Sequence, residues 1–145
     1  MKSMKGPAIF LAQFLRDEPP YDNLKNIGKW VSDLGYKGVQ IPTWDPRVID
    51  LAKAAESKAY CDDVKATLAG LGLEVTELAA HLQGQVLAMH PAYEVAFQAF
   101  YPQGADDGQR VEWATDQLTK AIHASVKFGL DSVPVLSSGL AWHMV

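Results

Sequence analysis

The segment DLGYKGVQIPTW, residues 33–44, recurs in outline twice more along the chain, as GLGLEVTELAAH at 70–81 and as KFGLDSVPVLSS at 127–138. In each copy an apolar residue precedes a glycine, and an apolar run rich in β-forming residues begins two to four residues later. Glycine accepts the left-handed backbone conformation that ends many helices. The repeated phrase therefore predicts a helix, a short turn and a strand at each of its occurrences.

The segments ahead of these glycines have the periodicity that the phrase requires. Apolar residues fall at helical spacing before Gly35, before Gly72 and before Gly129. Asp22 is placed to cap the first of these helices. With the apolar run AIFLAQFL at 8–15 in front, strands and helices are predicted to alternate from a first strand to a fourth.

Strands that alternate with amphipathic helices imply right-handed crossovers and a parallel sheet. The predicted strands are AIFLAQF (8–14), GVQIP (38–42), EVTELAA (74–80) and SVPVLSS (132–138). No glycine-rich phosphate loop follows the first strand, which disfavours an open nucleotide-binding sheet. The connections that follow strands are long and those that follow helices are short, as in a barrel. The predicted fold class is therefore α/β, a parallel (β/α) barrel of the TIM type.

Composition and charge exclude several classes of protein. The 145 residues suit a single domain, residues 1–145, and 48% of them are hydrophobic. A net charge of -4 with scattered basic residues offers no surface for nucleic acid. No apolar stretch reaches the roughly 18 residues of a membrane span. Cys61 is the only cysteine, which fits a reducing compartment, so we expect a cytoplasmic protein.

The connection at 82–109 is long for an idle link between a strand and a helix. It contains a predicted helix over residues 91–100, and another short helix is predicted over 48–55. The aromatic residues of the long connection are Tyr93, Phe97, Phe100 and Tyr101. These rings either close over a ligand as a lid or pack together as a small satellite core.

The run GLEVTELAAH (72–81), followed by a gap and a helix that leads into KFGLDSVPV (127–135), resembles the xylose-isomerase-like TIM-barrel superfamily. This superfamily comprises sugar phosphate isomerases and epimerases together with a branch of apurinic endonucleases. The resemblance implies an eight-stranded barrel with a divalent metal, Mn, Mg, Zn or Co, at its C-terminal mouth. Such a barrel needs about 250 residues. The chain therefore resembles the N-terminal half of a barrel, about four βα units.

The resemblance also implies that the two halves of the barrel carry different functional residues. In the isomerases of this superfamily the metal-binding and proton-transferring residues follow strands five to eight, which lie beyond this half. The predicted function is the N-terminal part of a protein that isomerises or epimerises a sugar, polyol or related compound. The alternative is a non-catalytic half barrel or small-molecule binding module. An endonuclease is disfavoured by the net charge of -4.

Candidate substrate-binding residues follow the predicted strands. His81 ends the third strand, and its ring can bond a sugar hydroxyl, ligate a metal or bond the backbone. Trp44 and Trp142 follow the second and fourth strands, where an indole forms either a site wall or barrel packing. Phe14 ends the first strand and either touches the ligand or belongs to the core. Gln40 can orient a hydroxyl but cannot accept a proton as a base.

Metal binding and association follow from the same half-barrel interpretation. His81 and His143 are the candidate metal ligands, and two imidazoles fall short of the three protein ligands that a catalytic metal usually needs. We therefore expect no tight metal site in this chain alone. Glu77 either reaches the barrel interior or forms a structural pair. Because a half barrel leaves two sheet edges unpaired, we expect a homodimer or a C-terminal half to complete it.

Overall fold

A computed structural model describes residues 6–136 of the chain. Its strands are β1 (Ala8–Phe10), β2 (Gly38–Pro42) and β3 (Glu74–Ala79). Its helices are α1 (Leu24–Asp33), α2 (Leu51–Glu56), α3 (Lys58–Ala69), α4 (His81–Gln85), α5 (Glu94–Phe97) and α6 (Asp107–Phe128). Short 3₁₀ turns at Pro91–Tyr93 and Gln98–Phe100 flank α5. Across residues 6–136, no helix has both the length and the apolar character needed to cross a membrane.

The strands form one parallel sheet in the order β1-β2-β3, which confirms the predicted α/β class. The sheet is open: the strands of residues 6–136 do not close into a barrel. The register shifts between β2 and β3, because Val39 pairs with Val75 whereas Gln40 pairs with Glu77. Thr76 is thus an extra residue in β3, a bulge that places Glu77 opposite Gln40.

Glycines end the helices where the repeated phrase predicts. Gly35, Gly72 and Gly129 have φ angles of 88°, 72° and 77°, in the left-handed region. The start of α1 differs from the prediction by one residue. Asn23 is the N-cap, and its side chain accepts the Asn26 backbone N–H at 2.9 Å. Residue 22 therefore does not cap α1, because residue 23 already occupies that position.

The first predicted strand is shorter in the structure than in the sequence pattern, and the last is absent over its described residues. β1 ends at Phe10, because the Phe14 N–H donates to the Leu11 carbonyl at 3.0 Å and turns the chain. Residues 132–136 form no strand, although the Ala80 N–H donates to the Pro134 carbonyl at 2.9 Å. A proline has no N–H with which to continue a ladder of hydrogen bonds. Residues 137–138 lie outside the described residues.

Side chains alternate across the sheet, and four helices pack against one of its faces. That helix face carries Val39, Ile41 and Leu78, which are fully buried. The same core contains buried residues of α1, α2, α3 and α6. The far face carries Phe10, Gln40 and Glu77, which are half-buried. One face is therefore apolar and packed against helices, whereas the other carries half-buried polar and aromatic side chains.

The long connection after β3 forms a second, smaller core. The helix predicted over 91–100 is divided into α5 and its two 3₁₀ turns. The cluster consists of Val86, Met89, Phe97 and Ala114, with Tyr93, Phe100, Tyr101 and Trp113 packed against it. Arg110 of α6 fixes this connection, since its Nε donates to the Val86 carbonyl at 3.0 Å. Of the two interpretations of these aromatic residues, the structure shows the satellite core.

Candidate functional site

Three rings meet at the carboxyl ends of the three strands. Phe10 ends β1, Trp44 follows β2 and His81 follows β3. The Phe10 and His81 ring centroids lie 5.4 Å apart, nearly perpendicular, and the Phe10 and Trp44 centroids lie 6.0 Å apart. The Trp44 and His81 centroids are 6.2 Å apart. These three residues, the aromatic trio, are neighbours because the carboxyl ends of parallel strands share one edge of a sheet.

A polar pair lies beside the trio on the far face. The Gln40 side-chain amide donates from Nε2 to Glu77 Oε2 at 2.6 Å. The other carboxylate oxygen accepts a long bond of 3.4 Å from the Ser132 hydroxyl. The bulge at Thr76 creates this pairing, since it brings Glu77 into register with Gln40. The pair joins β2, β3 and the segment that follows α6.

His81 has an unusual environment for a histidine at the edge of a sheet. Its Nδ1 is buried and has no hydrogen-bond partner within the described residues. Burial lowers the pKa of His81 below its ordinary value, and the negative charge of Glu77 opposes that shift only in part. The ring is therefore neutral at neutral pH. A neutral imidazole can exchange a hydrogen bond with a hydroxyl group of a ligand.

The carboxylate next to Trp44 is held by an ion pair. Asp45 is 7% exposed, and Arg47 donates to it from Nε at 2.9 Å and from Nη2 at 2.7 Å. Burial alone would raise the pKa of Asp45, but the hydrogen bonds and charge of Arg47 hold that pKa below its ordinary value. Arg47 also contacts Asp17 at 2.9 Å. Asp45 therefore shapes the loop behind Trp44 as a fixed anion and is a poor proton acceptor.

The other predicted site residues lie elsewhere. Phe14 packs against Trp30, with ring centroids 5.0 Å apart, at the margin of the main core. This position agrees with the core alternative for Phe14 and separates it from the trio. His123, which is not a predicted site residue, is exposed on α6. Trp142 and His143 lie outside the described residues.

The described residues do not fit a divalent metal by themselves. Among residues 6–136, no three or more His, Cys, Asp or Glu side chains are grouped so that they could hold an ion. His81 has Glu77 as its charged neighbour, and that carboxylate already accepts a hydrogen bond from Gln40. A metal at this edge would need ligands from outside the described part of the chain.

Phe10 is the site residue that the sequence pattern misses. The run AIFLAQF reads as one long strand, which puts its end at Phe14 and leaves Phe10 in the interior. The structure ends the strand at Phe10, so this ring and not Phe14 reaches the edge. A turn signal is weak in this run, because it contains neither glycine nor proline.

Comparisons with protein families and with curated proteins found no match. The class that the fold defines is an α/β protein with a parallel sheet. Its candidate site is an aromatic and polar surface at the carboxyl edge of that sheet.

Proposed function

We propose that the chain is the N-terminal, substrate-binding part of a sugar phosphate isomerase/epimerase-like barrel that holds a sugar or polyol against the aromatic trio. The observation that carries this proposal is the meeting of Phe10, Trp44 and His81 at one edge. The indole and phenyl rings offer apolar surface to the C–H face of a sugar. The imidazole and the Gln40 amide offer hydrogen-bonding partners to its hydroxyls.

The arrangement of helices supports the barrel part of this proposal. In an open doubly wound sheet helices cover both faces, whereas here four of them join a single core on one face. The Ala80 N–H, just after β3, donates to the Pro134 carbonyl, and in the proposed half barrel the segment 132–136 would take the place of a fourth strand. A half barrel of four βα units leaves the far face and the free edge of β1 to be covered. A second copy or a C-terminal half would cover them.

The described residues bind and orient a ligand and do not supply its acid–base chemistry. The Gln40 amide cannot accept a proton as a base, the Glu77 carboxylate accepts a hydrogen bond from Gln40, and the Asp45 carboxylate is paired with Arg47. The proposal therefore assigns proton transfer, and any divalent metal, to residues beyond 6–136. Cys61 is buried and its thiol donates to the Ala54 carbonyl, which suits the reducing cytoplasm that the proposal includes.

The same observations favour a second candidate, a sugar-binding module without catalysis. Solvent exchange separates the two candidates. Incubation of the full-length natural protein with an aldose or ketose in D₂O, with Mn²⁺ or Mg²⁺, should introduce deuterium at the carbon next to the carbonyl if it isomerises the sugar. Binding of the same sugar without any deuterium incorporation supports the binding module.

A titration tests the shared part of both candidates. Tryptophan fluorescence and calorimetry should detect binding of at least one member of a panel of pentoses, hexoses, their ketose isomers and their phosphate esters. Trp44→Ala and His81→Ala should each weaken that binding about tenfold or more, because each removes a wall or a hydrogen bond. His123→Ala, on the exposed side of α6, is the matched control. If no sugar in the panel binds, the proposal is wrong.

A further inference from the structure

A cavity beside the aromatic trio carries more negative than positive charge. Its volume is about 530 Å³, and it lies against Trp44 between the chain after β1 and the loop after β2. Its charged residues are Asp17, Asp45 and Arg47. Among the described residues that line the cavity, only Arg47 has a basic side chain, so the carboxylates outnumber the guanidinium.

Arg47 is the residue in this cavity that could attract an anion, but carboxylates already bind it. Its Nε and Nη2 donate to Asp45 at 2.9 Å and 2.7 Å, and its Nη1 donates to Asp17 at 2.9 Å. Asp45 is 7% exposed, so it is held in place beside the guanidinium. A phosphate group would therefore have to compete with both carboxylates for Arg47.

Another carboxylate lies next to His81. The negative charge of Glu77 acts on the His81 ring. In residues 6–136 the hydrogen-bond partners of Glu77 are Gln40 and Ser132, which are both neutral. No ion pair therefore balances this charge within the described part of the chain. The trio has excess negative charge beside Trp44 and beside His81.

The atoms that remain open to a ligand at these positions are acceptors. The Asp17 side chain is 94% exposed, and Glu77 Oε1 receives only a long, exposed bond of 3.4 Å from Ser132. An ionised carboxylate accepts hydrogen bonds and donates none, so it suits the O–H of a sugar. A phosphate ester near neutral pH carries a charge of about -1.5 to -2 and offers acceptor oxygens. Hydroxyl groups therefore match these atoms, whereas a phosphate group meets like charge.

We propose that the aromatic trio binds an unphosphorylated sugar or polyol, and that Glu77 and Asp17 exclude its phosphate esters. This inference rests on the proposed function, which leaves the phosphorylation of the ligand open. The two carboxylates act in opposite directions on the two ligands, because they accept from hydroxyl groups and repel a phosphate dianion. Specificity of this kind depends as much on repulsion of the wrong ligand as on contacts with the right one.

Calorimetric titration of this chain with a sugar and with its own phosphate ester tests the proposal. The probes are the neutral pentoses and hexoses of the panel above, each compared with its ester, in buffer without divalent metal. At an ionic strength of about 0.01 M the Debye length is about 30 Å, and each sugar that binds should do so at least about tenfold more tightly than its ester. At about 1 M salt, where the Debye length is about 3 Å, this ratio should shrink.

Substitutions that remove charge but keep an acceptor assign the ratio to the two carboxylates. Glu77→Gln retains an oxygen for the Gln40 amide, and Asp17→Asn retains one for Arg47. Each should lower the ratio at least about threefold at low salt, and the double variant should lower it further. Asp33→Asn is the matched control, because Asp33 is an exposed carboxylate that pairs with Lys29 at the end of α1. It changes the net charge equally and should leave the ratio unchanged.

The outcomes distinguish this inference from the proposed function. An ester that binds as tightly as its parent sugar overturns the inference and leaves sugar binding intact. If no member of any pair binds, the proposed function is wrong and the inference falls with it. The inference is also overturned if Glu77→Gln and Asp17→Asn leave the ratio unchanged, or if Asp33→Asn lowers it as much as they do.

Discussion

The two faces of the sheet are built from the same three strands and differ in almost every property. On the helix face Val39, Ile41 and Leu78 are fully buried within one apolar core. On the far face Phe10, Gln40 and Glu77 are half-buried, and the last two join in a hydrogen bond. Adjacent residues of one strand thus have different surroundings. The comparison teaches that the apolar core lies on one side of the sheet, whereas the half-buried polar and aromatic side chains lie on the other.

The largest effect should come from the helix face. Ile41→Ala removes buried methyl and methylene groups from a side chain that is 0% exposed. It should lower the free energy of unfolding by about 2–5 kcal/mol, measured by urea denaturation. Gln40→Ala, one residue away on the far face, is the matched control and should cost much less. Equal losses from the two substitutions would contradict the division between the faces.

The next effect concerns residues 135–136, which lie against α4. A Cβ at Gly84 would lie 2.6 Å from the Leu136 carbonyl oxygen and closer still to the Val135 side chain. Gly84→Ala should therefore lower the free energy of unfolding by about 1–3 kcal/mol. Gly70→Ala, whose Cβ would meet the Ala66 carbonyl oxygen at an ordinary 3.4 Å, is the control. A harmless Gly84→Ala would mean that residues 135–136 do not lie against α4.

The polar pair on the far face should contribute less. Gln40→Met removes the donor to Glu77, and its cost in unfolding free energy should be about 1 kcal/mol, because the pair is only half-buried. A double-mutant cycle with Glu77→Leu isolates the interaction. A coupling energy of zero would show that the bulge at Thr76 does not bring these side chains together.

The smallest effect should appear as a pH dependence of stability. Burial lowers the pKa of His81 in the folded protein below its ordinary value of 6.5, so the unfolded chain binds the proton at a higher pH than the folded protein does. This contribution to stability is present above pH 6.5 and declines as pH falls through that value toward the folded pKa. His81→Phe should remove the decline, as measured by urea denaturation at several pH values. His123→Gln should leave it unchanged, and the reverse pattern would refute the assignment.

The sequence predicts those parts of the fold that depend on local pattern. The run GVQIP coincides with β2, and the three glycines end their helices as expected. The sequence pattern predicts β1 too long, because a turn without glycine or proline leaves no local signal. The strand predicted over 132–138 is wrong over its described residues 132–136, where Pro134 interrupts the pattern of donors.

The sequence predicts only those candidate-site residues whose location follows from their position at the end of a strand. His81 and Trp44 follow predicted strands, so their meeting follows from a parallel sheet. The pairing of Gln40 with Glu77 depends on the bulge at Thr76, and the local sequence pattern does not predict that bulge.

The central claim, that the carboxyl edge of the far face is the ligand surface, is tested most directly by NMR mapping of a bound sugar. Titration with the tightest-binding sugar of the panel should shift the Trp44 indole N–H and the ring signals of His81 and Phe10. The Ile41 and Leu78 methyl groups on the helix face should remain unchanged. Shifts confined to the helix face or to the surface of α6, with the aromatic trio unaffected, would contradict the account.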